Sequence, residues 1–255
     1  MKTLFITSSF KFYYKDKNKV KHPRRIDNDN AFLDNLQKEL TKRDLCVIIS
    51  GKPKLERTID PTEIYKQGLM MSDISFKEYI YVDDTNKQNI KEYIEKADCI
   101  DLCGGHLPTC NAFINELNLK ELIKDFNGVI IGASGGGMNM ADTVYCIPEI
   151  EGEHTNENFN RYLKGLELTD IHSIPHYQYF KTMCFSDGIK MVEDILVPDS
   201  YKIDMIAIPD GSYIIQKGND KVLYGEAYLI SKGKITKLCD NEQKKVLRCV
   251  NNKNK

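Results

Sequence analysis

Short runs of branched apolar residues alternate with stretches of helical spacing through the first half of the chain. LFITSS (4–9) predicts a first strand. NAFLDNLQKELTKR (30–43) sets Phe32, Leu33, Leu36 and Leu40 on one face at helical period. LCVIIS (45–50) predicts a second strand, and PTEIYKQGLMM (61–71) a helix with proline in its first turn, where a missing N–H costs nothing. YIYVD (79–83) is a third strand and KQNIKEYIEKA (87–97) a further helix. DCIDLCGG (98–105) and GVIIGAS (128–134) are strands, separated by the helical stretch NAFINELNLKELIKDF.

That alternation predicts an α/β fold: a doubly wound, mostly parallel sheet flanked by helices. Uninterrupted runs such as VII suit strands buried on both faces. The last third reads differently. DMIAIPDGSYIIQKG and KVLYGEAYLISKGKITKL carry turn pairs between β-rich runs, which predicts extra C-terminal β-hairpins on one sheet edge. With no linker or repeat in its 255 residues, the chain is expected to form a single domain, 1–255, with a loose tail at 251–255.

Composition narrows the chemistry. A formal net charge of −1 supplies no field to draw nucleic acid or an anionic membrane, and neither is an expected partner. The basic stretch between Lys15 and Arg25 reads as a solvated loop. No run approaches the roughly 18 apolar residues of a membrane span, and the N-terminal segment is too short for a secretory signal. The eight cysteines include no CxxC pair, which suits reduced thiols in a cytoplasmic protein. Cys103, His106 and Cys110 are too few for structural zinc, and no metal is expected.

The informative stretch is GVIIGASGGGMNMAD, residues 128–142. Gly132-Ala133-Ser134-Gly135-Gly136 has the form G-x-S-x-G after a buried strand. A sharp strand-to-helix turn would present the serine hydroxyl at the carboxyl end of the sheet, where open α/β sheets bind ligands. Backbone N–H groups that follow it could stabilise an oxyanion. The alternatives are a phosphate-cradling loop or a plain tight turn, but the lysine of a P-loop is missing and G-x-G-x-x-G is absent here.

A nucleophilic serine needs a base, and the histidines stand at 22, 106, 154, 172 and 176. His176, in IHSIPHYQYF, follows an apolar segment and a proline that fixes its approach; His172 is its rival. An acid should orient the imidazole. PEIEGEH offers Glu149, Glu151 and Glu153 between serine and histidine.

DLCGGHLPTCNAF, IIGASGGGMNMADTVY and SIPHYQ, with the later IAIPDGSYIIQKG, together resemble the peptidase E (aspartyl dipeptidase) family, related to the cyanophycinases. The resemblance implies a class I glutamine amidotransferase-like fold and a serine peptidase of dipeptidase type. By that likeness Ser134 is the nucleophile, His176 the base and Glu149, fifteen residues past the serine, the acid. Gly105 and Gly135 would donate to the oxyanion, His106 and Tyr177 would border the substrate pocket, and no cofactor is implied. His106 has an equal alternative as a helix cap. The expected partner is a short peptide substrate, with room for a homodimer.

The chain departs from the family's pattern in three places. Ser134-Gly135-Gly136 stands for the usual Ser-Ala-Gly, and Cys103 for the first glycine of a triplet. The segment after His176 has no arginine, only Lys181 and Lys190, so a preference for N-terminal aspartate is not expected. Two further readings stay open: a catalytically degenerate homologue that binds a small molecule or peptide, and an α/β-hydrolase-type esterase. Against the esterase, no histidine follows 176; against an amidotransferase, position 134 is serine rather than cysteine.

Overall fold

A computed structural model describes residues 1–53 and 61–247; the tail at 251–255 lies outside them. In chain order, β1 (Thr3–Thr7) leads through the hairpin β2 (Tyr13–Lys15) and β3 (Lys21–Pro23) to α1 (Phe32–Glu39), β4 (Leu45–Ile49), α2 (Pro61–Met71) and β5 (Glu78–Val82). Next come α3 (Ile90–Lys96), β6 (Cys99–Leu102), α4 (Leu107–Glu116), α5 (Leu119–Leu122), β7 (Val129–Ala133) and α6 (Gly135–Met138). β8 (Thr143–Tyr145), β9 (Tyr162–Lys164), β10 (Ser173–Ile174), α7 (Tyr177–Phe180), a π-helix at Met191–Leu196 and α8 (Val197–Asp199) follow. The chain then closes with β11 (Met205–Ala207), β12 (Tyr213–Lys217), β13 (Asp220–Tyr224), β14 (Ala227–Ser231), β15 (Lys234–Cys239) and β16 (Lys244–Leu247).

Five parallel strands lie in the order β1-β7-β6-β4-β5, and β12, β13 and β16 extend the sheet antiparallel beyond β1. Strand side chains alternate between faces, and the two cores follow that period. Leu4, Ile6, Val47, Ile49, Ile100 and Leu102 pack with Ile90 and Ile94 of α3 and Phe113 and Ile114 of α4. Their neighbours Phe5, Cys46, Ile48, Cys99 and Ile131 pack with Phe32, Leu33 and Leu36 of α1 and Leu69 of α2. Each such side chain contributes roughly 1.5–3 kcal/mol when fully buried, so the inner strands need apolar residues on both faces. The doubly wound arrangement is the expected one.

Three details differ from expectation. The helical stretch before β7 divides into α4 and α5, because Asn118 adopts a left-handed conformation (φ 49°) that no helix continues through. β6 stops at Leu102, leaving Cys103–Gly105 as loop. The C-terminal strands serve two sheets rather than one edge: β12, β13 and β16 join the main sheet, whereas β10, β11, β14 and β15 form a second, four-stranded sheet. The switch falls at Pro209-Asp210-Gly211, where Gly211 has φ 85° and the Ser212 N–H donates to the Pro209 carbonyl at 3.1 Å. A third core fills the space beneath the second sheet, with Met138, Ile174, Tyr177, Met205 and Ile230 among its members.

The registers Thr7↔Ala133 and Leu102↔Gly132 bring the carboxyl ends of β1, β7 and β6 level. Ser8, Ser134 and the Cys103–Gly105 loop therefore leave the sheet side by side, where open α/β sheets leave a crevice.

Candidate active site

Ser134 sits between β7 and α6 with φ 52° and ψ −121°, a conformation L-residues rarely adopt. Its N–H is held by the Thr7 and Ser8 carbonyls at 3.0 and 2.9 Å. Close backbone approach makes the surrounding glycines necessary. A Cβ on Gly136 would lie 1.9 Å from the Leu102 carbonyl oxygen, and one on Gly104 2.9 Å from Ser134 Cβ. Both would force the turn open.

The Ser134 hydroxyl lies 2.9 Å from His176 Nε2, and His176 Nδ1 lies 2.7 Å from Asp210 Oδ1. Asp210 Oδ1 also accepts from the Ser8 hydroxyl at 2.7 Å, and Oδ2 from Gln178 Nε2 at 2.7 Å. The Asp210 N–H returns a bond to Gln178 Oε1 at 3.0 Å. Partial burial pushes the Asp210 carboxyl up. The hydrogen bonds from His176 and Ser8, the imidazole's charge and Gln178 outweigh that and hold it below the ordinary carboxylate range. An ionised Asp210 accepts a hydrogen bond from Nδ1–H, which keeps the proton on Nδ1 and leaves the Nε2 lone pair facing the serine. His176 is itself left-handed (φ 52°, ψ 33°), and its N–H is fixed by Ser8 Oγ at 2.8 Å.

The sequence-expected residues divide. Ser134 and His176 are brought together. Glu149 does not hold the imidazole: both ring nitrogens are taken, one by Ser134 and one by Asp210. Glu149 stands within electrostatic reach of His176 and His106, with burial pushing its carboxyl upward. Glu151 accepts from Ser186 and Glu153 from His106, so neither other glutamate of that segment reaches His176 either.

Asp210 is the residue that sequence reasoning missed. β10 and β11 are parallel neighbours with Ile174↔Ala207 in register, so His176 and Asp210 leave the second sheet at the same end. The PDG turn before an apolar run was the available signal, and it reads first as a turn.

Tyr177 is core rather than pocket wall: 2% exposed, it packs on Tyr228 with ring centroids 5.0 Å apart. The Lys181 ammonium lies over the Tyr177 and Tyr228 rings, at 5.5 and 5.1 Å from their centroids. His106 does line a cavity of about 660 Å³ with Gly51, Lys52, Pro53, Pro108 and Thr109. Neither Ser134 nor His176 lines that cavity. His106 precedes α4 without a side-chain bond to the helix backbone; its Nδ1 faces Thr109 Oγ1 at 3.1 Å and its Nε2 faces Glu153 Oε1 at 2.8 Å. Gly135 is the first residue of α6, so its N–H has no acceptor within the helix. The rival His172 bonds Asp142 and the Asp204 carbonyl instead.

Among the described residues no three His, Cys, Asp or Glu side chains cluster as metal ligands. Cys110 points its thiol at the Gly51 carbonyl, and burial pushes it up to about 12. Among the same residues, no helix is long and apolar enough to cross a membrane.

A serine, an imidazole and a carboxylate joined in this order form the constellation of serine hydrolases, recognised by geometry rather than position. The sequence model of peptidase family S51 matches residues 63–224, well over half of the chain. The chain belongs to that family and is a serine peptidase. It is similar in fold to a protein of Listeria monocytogenes EGD-e named after peptidase E, with a TM-score of 0.58 and 17% identity over 94% of this chain and 100% of that one. No curated protein matches it.

Proposed function

We propose that the chain hydrolyses short peptides, in the manner of a dipeptidase, through an acyl-enzyme formed on Ser134. The observation that carries this reading is the Ser134–His176–Asp210 relay, with links of 2.9 and 2.7 Å. Ser134 Oγ attacks the scissile carbonyl carbon as His176 Nε2 takes its proton. The carbonyl oxygen becomes an oxyanion and accepts from the Gly105 and Gly135 N–H groups, a term worth roughly 3 kcal/mol per donor. His176 then gives its proton to the leaving amine as the C–N bond breaks. Water, deprotonated by the same imidazole, attacks the ester, and the acid product leaves with Ser134 restored. Asp210 keeps the imidazole in the productive tautomer and stabilises its charged form throughout.

The segment directly after His176, residues 179–194, has no arginine to offer a forked contact for an acidic side chain, and Lys181 is turned onto two tyrosine rings. The reading therefore names short peptides without aspartyl selectivity. Three aligned groups and an ionised orienting acid favour a working enzyme over a degenerate homologue. The test is labelling of purified protein with a fluorophosphonate, mapping of the modified residue, and a screen of dipeptides and tripeptides. Labelling confined to Ser134, with turnover lost in Ser134→Ala, is expected. Turnover that survives Ser134→Ala would overturn the proposal.

A further inference from the structure

We infer that His106 and Glu153 form a second histidine–carboxylate pair, which positions the Gly105 N–H for the oxyanion; this rests on the serine-hydrolase reading above. The loop from Cys103 to Gly105 is wedged between the nucleophile and Gly51. A Cβ on Gly105 would fall 2.7 Å from the Gly51 carbonyl oxygen, and one on Gly104 3.4 Å from Ser134 Oγ. Two successive glycines fit that gap but offer no side chain to fix the orientation of their peptides. His106 is the first residue after them that can.

Its ring is held on both sides, by Thr109 in the first turn of α4 at 3.1 Å and by Glu153 at 2.8 Å. Neutral His106 donates from Nε2 to the carboxylate and accepts the Thr109 hydroxyl at Nδ1; protonated, it donates at both. The anchor survives either state.

Glu153 is a firm anchor in its turn. Its second carboxylate oxygen accepts from the Ile150 N–H at 3.0 Å, and its own N–H donates to the Ile150 carbonyl at 3.0 Å. The same turn is tied to a distant loop by Glu151, which accepts from Ser186 Oγ at 2.6 Å. His154, stacked on Phe185 with centroids 3.8 Å apart, adds a link to Asp187 at 2.8 Å. The pair thus couples the glycine loop to a segment braced by these contacts. His106 and Glu153 act through Gly105 and are positioning residues. A displacement of about 1 Å at such a donor costs up to roughly a hundredfold in rate.

The experiment follows the rate at which a fluorophosphonate labels Ser134 in the full chain. The Oγ–P bond forms, the P–F bond breaks, fluoride leaves, and the serine proton passes to His176; the phosphoryl oxygen occupies the oxyanion position. In His106→Ala and Glu153→Ala, kinact is expected to fall about ten- to a hundredfold while KI stays within about threefold. The double variant is expected to be no slower than the slower single one, since both break one link. Glu153→Gln, which keeps an acceptor for Nε2–H, should fall between wild type and Glu153→Ala. Glu153→Asp, shorter by one methylene, replaces the alanine variant if thermal melting finds that unfolded, and should also slow labelling. Losses that multiply in the double variant, a change in KI alone, or wild-type kinact in folded variants would each overturn the inference. Wild-type protein that never labels at Ser134 overturns the hydrolase reading and takes this one with it. Labelled wild type with an unresponsive pair overturns this one alone.

Discussion

Asp210→Asn separates the acid that bonds His176, proposed above to orient it, from the one the sequence suggested. Asparagine keeps the size of the side chain and removes its charge, so the outcome depends on which way the amide turns. Gln178 decides that. Gln178 Oε1 is engaged by the Asp210 N–H at 3.0 Å, which aims Nε2 as a donor at the Oδ2 position. An amide nitrogen there would meet another donor, so the oxygen of asparagine takes that side and its NH2 faces His176. Nδ1 must then accept, the ring proton moves to Nε2, and the imidazole can no longer take the proton of Ser134. Loss of the productive tautomer together with the carboxylate charge costs about 10⁴-fold in kcat elsewhere among serine hydrolases, or about 5 kcal/mol. A loss of that order in kcat is expected here, with KM little changed and the melting temperature within a few degrees. Adding Gln178→Ala frees the amide to rotate, and part of the rate should return. Glu149→Gln, read in parallel on the same peptide substrate, should stay within about tenfold of wild type because no ring nitrogen of His176 faces it. If Asp210→Asn retains activity while Glu149→Gln loses it, the assignment of the acid is wrong.

Two other outcomes follow from geometry and burial. Ser134→Gly should abolish labelling yet raise stability by about 1–3 kcal/mol in denaturant titration, since glycine relieves the φ 52°, ψ −121° backbone; an unchanged midpoint would refute stored strain. Asp101 lies buried in β6 with the Tyr65 hydroxyl donating at 2.5 Å, and burial pushes its carboxyl from 3.8 to about 7 against that bond. The folded state therefore holds a proton that the unfolded chain has released, so stability declines as pH rises from about 4 towards 7. At 1.36 kcal/mol per pH unit the decline is about 4 kcal/mol. Asp101→Asn should flatten the change in melting temperature between pH 5 and pH 8, and an identical slope in the variant would assign it to other groups.

What could be read in advance follows from the range of the forces involved. Parallel strands buried on both faces must be apolar throughout, so LFIT, LCVII and VII announce the sheet locally. The elbow is as local: no other residues fit where Gly104 and Gly136 meet backbone at contact distance. Asp210 is different. It reaches His176 because β11 pairs in parallel with β10 and then turns at Gly211 into the main sheet, a relation between segments 34 residues apart. Glutamates between serine and histidine are nearer in sequence, and proximity favoured them. Tyr177 was misread for a similar reason: the left-handed step at His176 sends the next side chain inward, onto Tyr228.

The least conspicuous residue of the site is Ser8, at the end of β1. Its carbonyl and that of Thr7 hold the Ser134 N–H, while its hydroxyl accepts from the His176 N–H and donates to Asp210. Two left-handed non-glycine residues at one site, each costing about 1–3 kcal/mol, persist only where the surroundings over-determine them. The hydroxyl, at once donor and acceptor, ties His176 to Asp210 while the backbone carbonyl of the same residue holds Ser134; alanine would keep only the carbonyl, and a carboxylate would repel Asp210. In TSSF that requirement reads only as small polar residues after a buried strand, because the partners that explain it lie 126, 168 and 202 residues further along the chain.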